Sequence, residues 1–135
     1  PEKEDYGEKR KSNNLSCVLR IEAGGRRMLL TSDIEARDEA ALLQRDPAKL
    51  AAEVLLVPHH GSRGAVSQRL LEQWGTKAAF VSVGEGNSFG HPNAGTVATL
   101  QESVGAVLRT DTAGWVSCKV DGDRMVITSE RTPIQ

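Results

Sequence analysis

The sequence predicts an α/β domain in which a mixed sheet carries helices on one face. Apolar, strand-like stretches alternate with helical patterns through the middle of the chain, an order typical of parallel strands joined by helices. Gly24-Gly25 and Asp121-Gly122 lie between strand-like stretches near the two ends, where they predict antiparallel hairpins. The 135 residues are 39% hydrophobic and 26% charged, which is ordinary for one globular domain with a core.

The beginning of the chain divides into a charged segment and a hairpin. Residues 1–11 are rich in charged side chains and are predicted to be a linker or a disordered lead-in, whereas residues 12–135 are predicted to form one partial domain. Apolar and polar residues alternate from 15 to 21, as in a half-buried strand. The glycine turn then leads into a second apolar strand, which ends on Asp33.

Three helices are predicted from apolar residues at helical spacing, and strands alternate with them. The helical stripes and their boundaries are Ala36, Ala40 and Leu43 before Asp46-Pro47; Val66, Leu70 and Trp74 before Gly75; and Val97, Leu100 and Val104 between the cap Asn93 and Gly105. The strands are predicted at 54–57, 78–83, 106–110, 115–120 and 124–128. Because Trp74 belongs to a stripe, we expect it in the core.

Two adjacent histidines follow the most apolar of these strands. Pro58 ends the strand, so His59 and His60 emerge at its carboxyl end and point in different directions. Neutral imidazole is the commonest protein ligand for zinc and similar ions, and Gly61 allows a backbone or a phosphate to come close. The alternative is a pair of ordinary loop or core histidines.

Asp33 follows the preceding strand in the same way. Consecutive parallel strands separated by one helix end at one edge of a sheet, so Asp33 and His59 are predicted to lie on the same edge. A carboxylate and an imidazole there would form half of a metal site. The alternative for Asp33 is the N-cap of the helix that follows it.

A third polar element follows the strand at 78–83. Glycines 84, 86 and 90 predict a loop with backbone amides free to bind an anion, and Asn87 and His91 add side-chain donors. The alternative is a glycine-rich turn in which His91 makes a local hydrogen bond. The segment 109–114 has polar residues at the end of the next strand and is predicted to be a turn between strands rather than a site.

Charge and cysteine content narrow the function classes. The net charge of −1 excludes a general electrostatic attraction to nucleic acid. Arg63, Arg69 and Lys77 form a local cluster near the histidines that could contact phosphates. The alternative is that these residues form the solvated face of a helix. No apolar run approaches the roughly 20 residues that span a bilayer, so we expect no membrane insertion by this segment. Cys17 and Cys118 are predicted to be buried free thiols, with a disulfide as the alternative in an oxidising compartment.

In order and spacing, these motifs resemble the metallo-β-lactamase-like domain at the C-terminus of the ComEC family of competence proteins. The resemblance covers residues from about 12 to 120. The matching motifs are Asn13-Asn14-Leu15-Ser16, Leu29-Leu30-Thr31-Ser32-Asp33, Val57-Pro58-His59-His60-Gly61-Ser62, Ser82-Val83-Gly84 with Asn87 and Gly90-His91-Pro92, and Thr110-Asp111-Thr112-Ala113-Gly114. Proteins of that family form the inner-membrane channel for incoming DNA in natural transformation, and this domain is held to be a nuclease for the strand that is not taken up.

The resemblance implies two divalent metal ions, zinc or manganese, with Asp33 bridging both and His59 binding the second. Asp33, His59 and His91 would be the catalytic residues. His60, Ser62, Asn87 and His91 would lie on the substrate side, the last two holding the phosphate. The implied partners are DNA and the remainder of the channel protein, and the implied location is the periplasmic or extracellular face of the inner membrane.

Two departures from the family pattern affect these expectations. Thr31-Ser32-Asp33 replaces the usual Thr-Gly-Asp, and no His-x-His-x-Asp-His motif precedes Asp33. The chain therefore resembles only the C-terminal half of the αββα sandwich and is predicted to be inactive alone. Two alternatives stay open. One is a different hydrolase of this fold, acting on thioesters or lactams, and the other is a metal-free module that positions DNA in the channel protein.

Half a sandwich would leave one apolar sheet face open to water. The strands at 15–21, 54–57 and 78–83 contribute to that face. Burial of apolar surface favours association, and twofold symmetric dimers are the commonest outcome. We therefore expect the chain to form a homodimer through the open sheet face.

Overall fold

The computed structural model describes residues 12–45 and 47–131, and it contains a five-stranded mixed sheet. The strands, in the order of the sheet, are β1 (Leu19–Ala23), β2 (Arg26–Leu30), β3 (Val54–Leu56), β4 (Ala78–Val81) and β5 (Ala106–Arg109). β1 is antiparallel to β2, and β2 to β5 are mutually parallel. The prediction of an α/β fold with a mixed sheet is confirmed. The predicted lead-in, 1–11, lies outside the described residues.

Helices connect the parallel strands. They are α1 (Ala36–Arg45), α2 (Pro47–Leu50), α3 (Gln68–Trp74), α4 (Ala94–Ser103) and α5 (Thr110–Ala113), with short 3₁₀ turns at Ser12–Leu15 and Pro58–Gly61. Gly75 ends α3 in the left-handed conformation, and the side chain of Asn93 caps α4 by accepting a hydrogen bond from the amide of Gly95. Both boundaries match the prediction. None of the described helices is long and apolar enough to cross a membrane.

The main core lies between one face of the sheet and the helices. Leu55 and Ala79 of neighbouring strands are fully buried, and Leu71 and Trp74 of α3 and Leu100 of α4 pack against the same core. Trp74 is therefore a core residue, as expected.

The opposite face of the sheet is covered in part by a β-hairpin, which leaves less of it open than the sequence predicted. Strands β6 (Val116–Asp121) and β7 (Arg124–Ser129) pair antiparallel in a separate two-stranded sheet. The side chains that pack together between the two layers are Val54, Ala78, Phe80 and Leu108 of the large sheet and Val116, Cys118, Met125 and Ile127 of the hairpin. The hairpin thus supplies part of the second layer within this chain.

The two hairpin turns meet at one end of this second layer. Nε of Arg26 donates a hydrogen bond to the carbonyl oxygen of Asp123 at 2.8 Å. Gly24 adopts a positive φ of 53°, and a Cβ atom at this position would collide with the carbonyl of Gly122. Glycine at position 24 is therefore required by both the backbone conformation and the close approach of the two turns.

The structure corrects the prediction for the first strand. β1 begins at Leu19 rather than residue 15, and all five of its residues are exposed, with Leu19 at 57% and Ile21 at 46% of full exposure. β1 lies at one edge of the sheet, and the layers that cover the sheet do not bury its residues, so the apolar side chains of its alternating pattern are exposed. Cys17, predicted to be buried, is exposed, whereas Cys118 of β6 is half-buried between the hairpin and the large sheet; both are free thiols.

Candidate functional site

The candidate site lies at the edge of the sheet where β2, β3 and β4 end. Because these strands are parallel, the segments that follow them meet at the same edge. Thr31 Oγ1 donates a hydrogen bond to the carbonyl oxygen of Leu56 at 2.7 Å, and the amide of His59 donates to the carbonyl oxygen of Ser32 at 3.0 Å. These bonds join the segment that carries Asp33 to the segment that carries the histidines.

The backbone at this edge is held in an unfavourable conformation. Ser32, His59 and His60 have φ values of 53°, 48° and 54°, and they are the non-glycine residues with positive φ in the described part of the chain. A left-handed conformation costs a residue with a side chain about 1 kcal/mol or more, and such strain is concentrated at functional sites. Gly61 follows with φ of 74°, and a Cβ there would lie 2.8 Å from Cβ of Pro92.

This conformation directs His60 towards Asp33. Nε2 of His60 lies 3.8 Å from Oδ1 of Asp33, and both side chains are about half exposed. Nδ1 of His60 lies 2.7 Å from the carbonyl oxygen of Ser82. A carbonyl oxygen only accepts, so Nδ1 carries a proton, and in the neutral ring the lone pair of Nε2 faces the carboxylate.

The donor set of this pair fits part of a divalent metal site. Metal-binding histidines commonly donate the other ring N–H to a carbonyl oxygen, as His60 does to Ser82. A carboxylate oxygen and an imidazole lone pair facing each other are also complementary to a cation. Within residues 12–45 and 47–131, however, no group of three or more His, Cys, Asp or Glu side chains could hold a metal ion, and a stable site needs at least three protein ligands.

His59 turns away from that pair and lies next to His91. The two ring centroids are 5.9 Å apart with an angle of 64° between the planes. The ring of Phe89 stacks on the ring of His91, with centroids 6.0 Å apart and an angle of 18° between the planes. His59 and His91 are half-buried, whereas Phe89 is 80% exposed.

Asn87 organises the loop that carries His91. Its Nδ2 donates to the carbonyl oxygens of Gly84 and His91 at 3.0 and 2.7 Å, and its Oδ1 accepts from the amides of Phe89 and His91 at 3.2 and 3.0 Å. These four bonds use both donors and both lone pairs of the side-chain amide. The resemblance implied that Asn87 holds the phosphate; in this structure the side chain fixes the backbone on both sides of His91.

A cavity of about 370 Å³ opens beside His59. The residues that line it are Ile34, Glu35, Arg37, His59, Ser62, Arg63, Gly64 and Ala65. Arg37 and Arg63 are exposed, and neither forms an ion pair with another described residue, so the cavity is lined by two arginines without a partner among the described residues and by Glu35. Ser62, placed on the substrate side by the resemblance, is half-buried and lines the same cavity as His59.

The segment after β5 forms the one-turn helix α5, where the sequence predicted a turn between strands. Thr110 Oγ1 accepts from the amide of Val83 at 2.7 Å and lies 2.8 Å from the carbonyl oxygen of Val83. Arg109 donates two hydrogen bonds to the carboxylate of Asp111, which raises the pKa of Arg109. The turn therefore fastens the start of the loop that carries Asn87 and His91.

One buried acidic residue of α1 was missed by the sequence reasoning. Glu39 of α1 is only 3% exposed, and its Oε1 has no hydrogen-bond partner among the described residues. Burial, with a smaller contribution from the charge of Asp38, raises the pKa of Glu39 from 4.5 to about 8. The only sequence signal was its position four residues before the apolar Leu43, on the inward side of α1.

Comparison with known proteins adds an independent observation. The chain is 38% identical over 104 residues to ComE operon protein 3 of Bacillus subtilis, a match that covers 77% of the chain. It is 33% identical over 102 residues to Competence protein ComA of Neisseria gonorrhoeae, and 34% identical over 123 residues to Recombination protein 2 of Haemophilus influenzae, which cover 76% and 91% of the chain. These similarities support the assignment of this chain to the competence family.

The matches extend over a small part of each competence protein. The chain spans 13% of the length of the Bacillus subtilis protein and 15% of the other two. No protein-family model matches the chain, and no solved structure is similar to it. The matched regions thus cover most of this chain but only a short segment of each competence protein.

Proposed function

We propose that this chain is part of a metal-dependent nuclease domain of a ComEC-type DNA-uptake protein that acts in natural transformation. The observation that carries the proposal is the Asp33–His60 pair, whose facing carboxylate and imidazole atoms lie at the carboxyl edge of the parallel strands. The relatives are named for competence and recombination, which makes DNA the substrate class of choice. In this proposal the parent protein is a channel of the inner membrane, with this domain on its periplasmic or extracellular face.

The residues of this chain would have different roles at the site, as metal ligands or as hydrogen-bond donors to the phosphate. Asp33 and His60 are the two candidate ligands by geometry, and His59, assigned as a ligand by the resemblance, is the third to be tested. A bound divalent ion, zinc or manganese, would supply a water of lowered pKa and would stabilise the charge that develops on a phosphodiester. The half-buried imidazoles of His59 and His91 would donate hydrogen bonds to phosphoryl oxygens.

The described residues supply fewer ligands than an ion requires, so the proposal places the remaining ligands in other parts of the parent protein. This is consistent with a chain that spans 13 to 15% of its relatives. The isolated chain is accordingly proposed to be inactive and to bind metal weakly.

The test is a longer segment of the parent that adds the sequence preceding this chain. We expect manganese- or zinc-dependent cleavage of DNA, abolished by Asp33→Ala and by His60→Ala. His91→Ala should reduce turnover without changing the metal content. Asp121→Asn, which alters an exposed carboxylate on the hairpin, is the matched control and should leave cleavage unchanged.

Other outcomes would separate the alternatives. Hydrolysis of nitrocefin or acyl thioesters without DNA cleavage would replace the nuclease by another hydrolase. Absence of metal from the longer segment would favour a module that only positions DNA in the channel protein. Loss of metal in His59→Ala but not in His60→Ala would return the ligand role to His59.

A further inference from the structure

Phe89 is the most exposed of the large apolar side chains at the candidate site. The ring is 80% exposed, although one side of it stacks on His91. The loop beneath it is fixed by the four hydrogen bonds of Asn87, two of which flank Phe89 and His91 directly. An exposed ring held by an ordered loop keeps one aromatic face open to a flat partner, which a mobile side chain would not.

The opposite end of the same row carries two arginine side chains. His59 lies between His91, at a centroid separation of 5.9 Å, and the cavity that Arg37 and Arg63 line. Two guanidinium groups line that end together with the carboxylate of Glu35, whose backbone amide donates a hydrogen bond to the carboxylate of Asp38 at 3.1 Å. The described residues thus form a continuous row, defined here as the binding row, which runs from Phe89 through His91 and His59 to Arg37 and Arg63.

This order of side chains suits a flexible polynucleotide. Nucleotides present a flat base that stacks on aromatic rings and a phosphate that pairs with guanidinium groups. In a duplex the bases are stacked on one another and cannot meet an aromatic face, whereas the bases of a single strand can. We propose that the binding row holds single-stranded DNA, with a base on Phe89 and a phosphate in the cavity between Arg37 and Arg63.

This inference rests on the proposed function, since it names the substrate form and the residues that bind it. It is tested by binding alone, with the complete chain and with divalent metals chelated so that no strand is cut. The probe is a labelled oligothymidylate of about 12 nucleotides, compared with a duplex of the same length by fluorescence anisotropy at low ionic strength. We expect tighter binding of the single strand.

Substitutions at the two ends of the row should have different signatures. Phe89→Ala should weaken binding of the single strand about tenfold, and Phe89→Tyr should restore it because the ring is kept. Arg37→Gln and Arg63→Gln should each lower the slope of log affinity against log salt by about 0.7. Ile21→Ala and Arg124→Gln, exposed side chains on β1 and β7, are the controls and should change neither property.

The results separate the two proposals. Equal affinity of Phe89→Ala and the unchanged chain, or an effect of Arg124→Gln as large as that of Arg63→Gln, would overturn the binding row. If the longer parent segment cleaves DNA while Phe89→Ala binds normally, the row is wrong and the nuclease stands. If the expected binding pattern is seen but that segment cleaves no DNA, the nuclease is wrong and the row stands.

Discussion

Nε2 of His60 faces Oδ1 of Asp33 at 3.8 Å, while Nδ1 of the same ring is held by the carbonyl oxygen of Ser82 at 2.7 Å. The contact with Ser82 fixes the proton of the neutral ring on Nδ1, so Nε2 presents a lone pair to Asp33. A lone pair beside a carboxylate repels it unless a proton or a cation lies between them. The metal binding proposed at Asp33 would therefore depend on the position of the carbonyl oxygen of Ser82, which follows the neighbouring strand.

The first prediction follows from this link. The isolated chain should bind zinc weakly, and His60→Ala should remove that binding because it deletes one of two facing ligands. His59→Ala should leave it nearly unchanged. Competition of the chain with a zinc-sensitive dye measures both effects. Equal loss in the two variants would show that His59 also reaches the ion.

Asn87 is predicted to act on the order of the loop rather than on the substrate directly. Asn87→Ala removes four hydrogen bonds to the backbone and should destabilise the chain by about 1 to 3 kcal/mol. Amide hydrogen exchange should accelerate at Phe89 and His91. Asn87→Asp keeps the acceptor but places a carboxylate oxygen against the carbonyl oxygens of Gly84 and His91, so it should destabilise the chain at least as much as Asn87→Ala. Unchanged exchange in Asn87→Ala would refute this role.

Buried Glu39 predicts an unusual dependence of stability on pH. Its pKa is about 8 in the folded chain against an ordinary value of 4.5, so the unfolded state loses the proton first as the pH rises. The contribution to stability is therefore full below pH 4.5 and is lost as the pH rises towards 8. Glu39→Gln should raise the free energy of unfolding at neutral pH by on the order of 3 kcal/mol.

Urea denaturation at a pH near 4.5 and at a pH near 8 measures this effect. The gain from Glu39→Gln should be present at the higher pH and nearly absent at the lower one. Glu102→Gln, an exposed position of α4, is the control. A gain of equal size at both pH values would mean that the carboxyl of Glu39 is not titrating.

Gly61 is predicted to be irreplaceable for a steric reason. Gly61→Ala places a Cβ 2.8 Å from Cβ of Pro92 in a backbone with φ of 74°. Gly64 has a similar φ of 70° but open space around it, so Gly64→Ala carries the conformational cost alone. We expect losses of about 1 kcal/mol for Gly64→Ala and about 3 kcal/mol for Gly61→Ala, measured by thermal unfolding. Equal losses would mean that Pro92 moves aside freely.

Self-association is still expected, with a smaller driving force than half a sandwich would provide. The hairpin covers part of the sheet face, and the exposed apolar side chains include Leu19 and Ile21 on the edge strand. An unpaired edge strand can join the same strand of a second copy. Sedimentation at micromolar concentration should show a dimer that Ile21→Lys dissociates. A monomer in the unchanged chain would refute the expectation.

Local signals in the sequence predicted much of the fold. Gly75 ends a helix through its own backbone conformation, and Asn93 begins a helix through its own side chain. The strand before His59 is apolar because both of its faces are covered. The edge position of β1 and the hairpin that covers the second face depend on pairings distant in sequence. No local pattern distinguishes an edge strand from a half-buried one.

The candidate site shows the same division. Shared strand ends brought Asp33 and the two histidines to one edge, as the order of elements predicted. Which histidine faces Asp33 depends on the left-handed backbone at His59 and His60, which is set by bonds to Ser32 and Ser82. The burial of Glu39 and the use of Asn87 within its own loop likewise follow from tertiary contacts rather than residue type.

The β6–β7 hairpin, whose turn meets the β1–β2 turn at Gly24 and Gly122, is a separate structural unit of the second layer. The hairpin is continuous in sequence, pairs only with itself, and presents half-buried side chains to the large sheet. We therefore expect it to detach as a unit while the helix-covered core stays folded. Detachment would uncover Cys118 and the face of β3 and β4, so modification of this thiol would report how often the second layer opens in solution.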